Sequence, residues 1–116
     1  MIRHIVMWRV RGETDGERIA ASRLVKSSFE ELRGRIPGLL SLEVGIDLSD
    51  VDCACDVVLL TDFDSREALA VYATHPEHLR VRTLLGDLRT ARFQVDYEVE
   101  AAAVCATIAE RVDEKA

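Results

Sequence analysis

Two segments of this chain, Ile2–Val10 and Cys55–Phe63, carry apolar side chains on both parities of an alternating pattern, and that doubling limits the folds open to it. Successive strand residues point to opposite sides of a sheet, so a strand that is apolar on both sides needs both sides covered. In the first segment Ile2, His4, Val6, Trp8 and Val10 share one parity, while Ile5 and Met7 share the other with Arg3 and Arg9. In the second, Val57, Val58, Leu59 and Leu60 run without a polar interruption. Helices of the same chain can close one face of such a sheet; the other face calls for a different cover.

The remaining segments supply the rest of that architecture. After Gly12 to Gly16, a helical period runs through Ile19, Ala20, Leu24, Val25, Phe29 and Leu32, and Gly34 and Pro37 close it. Leu39 to Leu48 reads as a second strand with Leu40, Leu42, Val44 and Ile46 on one side, joined to the third as a hairpin through Ser49–Asp52. Asp64-Ser65 opens a helix with Ala68, Leu69 and Tyr72 as its buried stripe. Pro76 disfavours helical geometry at His75, so that helix is expected to stop near Thr74 and another to run from Pro76 to about Arg89. Ala91 to Val99 then sets Phe93, Val95, Tyr97 and Val99 against Arg92, Gln94, Asp96 and Glu98, a fourth strand with an apolar face.

The order β-α-β-β-α-β predicts an α+β, ferredoxin-like protomer with four antiparallel strands and two helical layers on one face. Its uncovered face predicts a homodimer in which two sheets pack under two-fold symmetry into a dimeric α/β barrel. One domain is expected over residues 1–99, followed by a helical or partly disordered tail over 100–116.

No apolar run approaches the roughly 20 residues that cross a bilayer, and the first residues lack the pattern of a signal peptide, so a cytoplasmic protein without a membrane partner is expected. A formal charge of −6 argues against a nucleic-acid partner, since phosphate-binding surfaces are normally basic. Arg80, Arg82, Arg89 and Arg92 alternate with Leu79, Val81, Leu84, Leu85 and Leu88 and read as the solvated face of an amphipathic helix. Cys53 and Cys55 are too close for the usual disulfide or redox motif, and with Cys105 they read as free thiols.

Chemistry concentrates in Tyr72-Ala73-Thr74-His75-Pro76-Glu77-His78, which holds two of the three histidines and one of the two tyrosines. Histidine changes charge near neutral pH and a phenol can donate or relay a proton. The third histidine, His4, lies in the first strand. His75 and His78 alone do not complete a zinc site, so no metal and no cofactor is expected. The residues by themselves leave a plainer reading open, with His75 a helix junction and His78 a half-buried first-turn residue.

His4-Ile5-Val6-Met7-Trp8, Ile36-Pro37-Gly38-Leu39, Thr61-Asp62-Phe63-Asp64-Ser65 and Tyr72-x-x-His75-Pro76-x-His78, in that order, resemble the stress-responsive A/B barrel (Dabb) domain family of the dimeric α/β-barrel superfamily. The resemblance spans Met1 to about Glu98 and implies ferredoxin-like protomers whose sheets close into a barrel across a dimer. The last motif is also similar to that of the plant polyketide cyclases of this family that form olivetolic acid. That likeness implies His78 as the base that removes a proton between carbonyls and Tyr72 as the hydrogen-bond donor to the developing enolate. It also implies His4 as a pocket histidine, and Val57 stands where those enzymes carry another. The pocket would be lined by His4, Val6, Trp8, Phe29, Val57 and Leu59, gated by Tyr72 and His78, and would take a small apolar or carbonyl-containing ligand. Two readings compete with this one: a stress-related oligomer without turnover whose barrel is a filled core, and a monooxygenase-like relative.

Overall fold

The doubly apolar segments become the two central strands of the sheet. The structure, a computed structural model, describes residues 1–99; the tail expected over 100–116 lies outside the described residues. Its elements are β1 (Ile2–Val10), α1 (Asp15–Glu30), β2 (Leu39–Ile46), β3 (Val57–Phe63), α2 (Arg66–Thr74), α3 (Pro76–Leu85) and β4 (Arg89–Glu98). The strand order is β2-β3-β1-β4 with every neighbouring pair antiparallel, the ferredoxin-like arrangement that the sequence predicts. No helix among the described residues is long and apolar enough to cross a membrane.

Side-chain caps set the helix starts. The Thr14 hydroxyl accepts from the Glu17 N–H at 3.1 Å to open α1, and the Ser65 hydroxyl accepts from the Ala68 N–H at 3.1 Å to open α2. His75 ends α2 in an extended conformation (ψ 136°) and caps α3, its Nδ1 accepting from the Glu77 N–H at 3.1 Å. The Pro37-Gly38 turn sits against α2: Gly38 has φ 78°, and a Cβ there would lie 2.5 Å from that of Ala68. Only glycine meets both demands without strain.

The helices lie over β1, β2 and β3, where Val6, Trp8, Val44, Leu59 and Phe63 pack against Val25, Phe29 and Leu32. Two details depart from the expected pattern. A register shift between Leu39 and Ser41 frees Leu40 from the parity of Leu42 and Val44, leaving it 57% exposed. Gly86, at φ 52°, ends α3 at Leu85, so Arg89 begins β4 instead of closing a helix.

The sequence pattern leaves open which way the apolar face of β4 points, and the register settles it. Its register with β1 sets Phe93 opposite Met7, Val95 opposite Ile5 and Tyr97 opposite Arg3, which places its apolar side chains on the sheet face away from the helices. There Phe93, Val95 and Tyr97 remain 53%, 59% and 43% exposed, beside partly covered Ile5, Val58 and Leu60. Arg3 and Asp62 form a forked ion pair on the same face, Nε to Oδ1 at 2.8 Å and Nη2 to Oδ2 at 3.3 Å. The polar alternates Arg92, Gln94 and Asp96 pair across from Trp8, Val6 and His4 and therefore face the helix side.

Candidate active site

β4 turns a polar edge toward the helix layer, and a cavity of about 820 Å³ opens between β1, β4 and the α2–α3 corner. His4, Val6 and Trp8 of β1 form its floor, Phe29 and Leu59 its apolar back. Tyr72 and His78 line it from the helix side, and Arg89, Arg92, Gln94 and Asp96 from β4.

The chemistry-bearing side chains form a row. Tyr72 stacks on His78 with ring centroids 4.2 Å apart, and the His4 ring stands edge-on to Tyr72 at 6.1 Å. The His4 end is fixed by Asp96, whose Oδ1 lies 2.5 Å from His4 Nδ1 and whose Oδ2 accepts from Gln94 Nε2 at 2.7 Å. At the other end His78 Nδ1 lies 3.2 Å from the Ala73 carbonyl oxygen. A carbonyl only accepts, so Nδ1 carries the proton, and in the neutral ring Nε2 keeps a free lone pair.

Burial holds His78 below the ordinary histidine value, and the positive charges of Arg82 and Arg89 act in the same direction, against the pull of the Ala73 carbonyl. The ring is therefore neutral at pH 7 and able to take a proton. Tyr72 is shifted the other way: burial pushes its hydroxyl well above the usual phenol range, with Arg89 and Arg92 opposing weakly. It remains a protonated donor. Its oxygen is buried and has no hydrogen-bond partner among the described residues. A ligand oxygen reaches it only with a side-chain adjustment at the cavity wall.

Of the residues singled out from the sequence, His4, Val6, Trp8, Phe29, Leu59, Tyr72 and His78 come together around this cavity. Val57 does not. It is buried in the core on β3 opposite Trp8, two positions along the strand from Leu59, and contributes no part of the cavity wall. His75 also stays outside, occupied as the α3 cap. Sequence reasoning missed Arg82, Arg89, Arg92, Gln94 and Asp96. Their spacing in the sequence assigns the arginines to a helix face, whereas Arg89 and Arg92 are strand residues and all three line the cavity. The available signal was the polar parity of β4, which becomes meaningful once β4 is placed beside His4. Among the described residues, no group of three or more His, Cys, Asp or Glu side chains is placed to hold a metal ion.

Among solved structures, a dimeric protein of unknown function with a ferredoxin-like fold from Bacteroides fragilis is similar, with 28% identity, a TM-score of 0.75, and 84% of this chain and 95% of that one covered. The hydroxynitrile lyase of Passiflora edulis shares the fold at 15% identity, with a TM-score of 0.69 over 86% of this chain and 94% of that one. A Dabb family protein from Mesorhizobium loti shares it at 20% identity, with a TM-score of 0.66 over 86% and 97%. A comparison with curated proteins gives no match. Residues 2–99 match the Stress responsive A/B Barrel Domain, which bears out the resemblance carried by the His4–Trp8 and Tyr72–His78 segments, and the chain belongs to that family.

Proposed function

We propose that the cavity is the site of a cofactor-free lyase, isomerase or cyclase acting on an enolisable carbonyl compound, with a polyketide-like β-keto thioester as the leading substrate class. The observation that supports this reading is the 3.2 Å contact of His78 Nδ1 with the Ala73 carbonyl oxygen in a side chain that lines the cavity, an arrangement that assigns the proton to Nδ1 and the lone pair to Nε2. In the first step Nε2 takes the proton from the carbon between two carbonyls. The C–H electron pair shifts toward carbonyl oxygen, and the Tyr72 hydroxyl stabilises that oxygen as charge develops. Return of the proton from Nε2 to another carbon gives isomerisation; attack of the carbanion on a second carbonyl forms the ring C–C bond, breaks that carbonyl's π bond, and leaves an alkoxide that takes the proton back from Nε2. The cyclase-like part of the reading rests on the Tyr72-to-His78 segment; the hydroxynitrile lyase shows that a lyase also occurs on this fold.

The protein acts as a homodimer on this reading, closed through Ile5, Met7, Val58, Leu60, Phe93, Val95 and Tyr97. Such an apolar sheet face is seldom left in water, and the Bacteroides fragilis protein of the same fold is described as dimeric. Activity and assembly are tested together by light scattering at micromolar concentration and a turnover screen of β-keto thioesters and related acids with wild-type protein and His78→Ala. A dimer with activity lost in the variant is expected. A stable monomer refutes the assembly, and activity unchanged in His78→Ala refutes the chemistry.

A further inference from the structure

We propose that the ligand of this cavity carries an anionic oxyacid group, a carboxylate or a phosphate, that is held by Arg82, Arg89 and Arg92 while its enolisable carbon faces His78. The proposal rests on the reading of the cavity as a carbonyl-handling site and names the substrate class. Seven of the other ten described Lys and Arg side chains have a carboxylate partner: Arg3 with Asp62, Arg11 with Asp87, Arg18 with Asp15, Lys26 and Arg33 with Glu30, Arg35 and Arg80 with Glu77. The described arginines without a carboxylate partner among the described residues are Arg9, Arg23, Arg66, Arg82, Arg89 and Arg92, and the last four of these all line the cavity.

This concentration of unneutralised charge occurs in a chain whose formal charge is −6. The cavity's carboxylate, Asp96, is already engaged by His4 and Gln94. Arg89 is not a freely solvated side chain: half-buried, its guanidinium carbon lies 5.0 Å from the Trp8 ring centroid and 5.7 Å from that of Phe29. Stacking of that kind fixes the plane of the guanidinium and leaves its edge donors for a planar or tetrahedral oxyanion. Burial and the neighbouring charges of Arg82 and Arg92 all disfavour the charged form of Arg89, a crowding that a bound anion relieves. Arg82 and Arg89 also act electrostatically on His78, and Arg89 and Arg92 on Tyr72, so the arginine cluster and the reacting pair occupy one field.

The chain's single tryptophan, Trp8, forms part of the cavity floor under Arg89 and serves as the reporter. The full chain is titrated with 3-oxooctanoate, its neutral methyl ester and 3-oxooctanoyl-CoA, following Trp8 fluorescence. Expected is binding of at least one charged ligand about 10-fold or more tighter than the ester, weakened about 10- to 100-fold in the Arg82→Gln/Arg92→Gln double variant, with ester binding unaltered. Both substituted side chains are exposed, so the variant keeps its fold, and Arg89→Gln gives an independent reading. Preference for the free acid identifies a carboxylate, and preference for the CoA thioester identifies phosphate. Equal affinity for ester and charged ligands, or unaltered affinity in both variants, overturns the proposal while leaving the carbonyl chemistry standing if the ester is turned over. Charge-selective binding without turnover overturns the carbonyl chemistry and leaves the anion site. Absence of binding by all three overturns both.

Discussion

Replacing Tyr72 with phenylalanine separates the chemistry from the packing. The ring is held by Phe63 at 5.1 Å, His78 at 4.2 Å and His4 at 6.1 Å between centroids, and Phe preserves all three contacts. What disappears is a buried hydroxyl with no hydrogen-bond partner among the described residues. An unpaired buried polar group costs about 1–3 kcal/mol, whereas loss of a satisfied hydrogen bond destabilises by about 0.5–1.5 kcal/mol. Tyr72→Phe is therefore expected to leave the ligand-free protein unchanged or to stabilise it by up to ~2 kcal/mol. For a domain of this size a full kcal/mol shifts the melting temperature by about 4–8 °C. Urea and thermal unfolding measure the change, both at one fixed protein concentration because dimerisation makes stability concentration-dependent. Turnover moves the opposite way, by about 100- to 1,000-fold, the usual consequence of removing one donor to a developing oxyanion. A loss of about 1 kcal/mol or more in the ligand-free variant shows that the hydroxyl is satisfied and refutes the reasoning.

The depressed His78 value makes two pH predictions of the same sign. A histidine held below its unfolded value destabilises the fold as it is forced to charge, so its contribution is intact above about pH 6.5 and is lost as pH falls through the folded value. The acid limb of kcat/KM should accordingly lie below 6.5, and a limb at or above that value contradicts the assignment of His78 as the neutral base. Val95→Asp, on the exposed apolar face, should convert the dimer to monomer in sedimentation analysis, and an unaffected dimer places the interface elsewhere. Val57→Asp tests something different, since Val57 belongs to the core beneath the helices: it should unfold the protomer, and a folded variant shows that the side chain is not in the core. Gly38→Ala combines a left-handed φ with a methyl group 2.5 Å from Ala68 Cβ, so a loss of about 1–3 kcal/mol is expected in urea unfolding, and wild-type stability means that the Pro37-Gly38 turn is not pressed against α2.

The fold was legible because its signals are local. Double apolar parity marked β1 and β3 as strands covered on both faces, Ser65 capped α2 as its position suggests, and Pro76 broke the helix pair at His75. β4 was legible as a strand but not in its orientation. Which of its faces meets the helices depends on the register of Phe93 against Met7, a contact far apart in sequence, and an apolar face normally turns inward. Here it turns toward the uncovered side of the sheet, and Arg92, Gln94 and Asp96 become cavity residues in its place. The same non-local placement hid the arginine cluster, since Arg82 lies on α3 and Arg89 and Arg92 follow the Gly86 break. The histidines and Tyr72 stood out by residue type alone, but their adjacency to His4 needed the β1–β4 and β1–β3 pairings. Val57, which the resemblance aligned with a pocket histidine, shares the helix-facing side of β3 with Leu59 but lies two positions along the strand, outside the cavity wall.

The central claim, that His78 removes a proton from a carbon beside a carbonyl, is tested most directly by hydrogen exchange. The C2 protons of a 3-oxoacyl thioester are followed by NMR in D2O with wild-type protein, His78→Ala and buffer alone. The account predicts exchange above the buffer rate with wild-type protein and a reduction of about 100- to 10,000-fold in the enzymatic rate in His78→Ala. Exchange at the buffer rate with wild-type protein, or equal enhancement in both proteins, contradicts it.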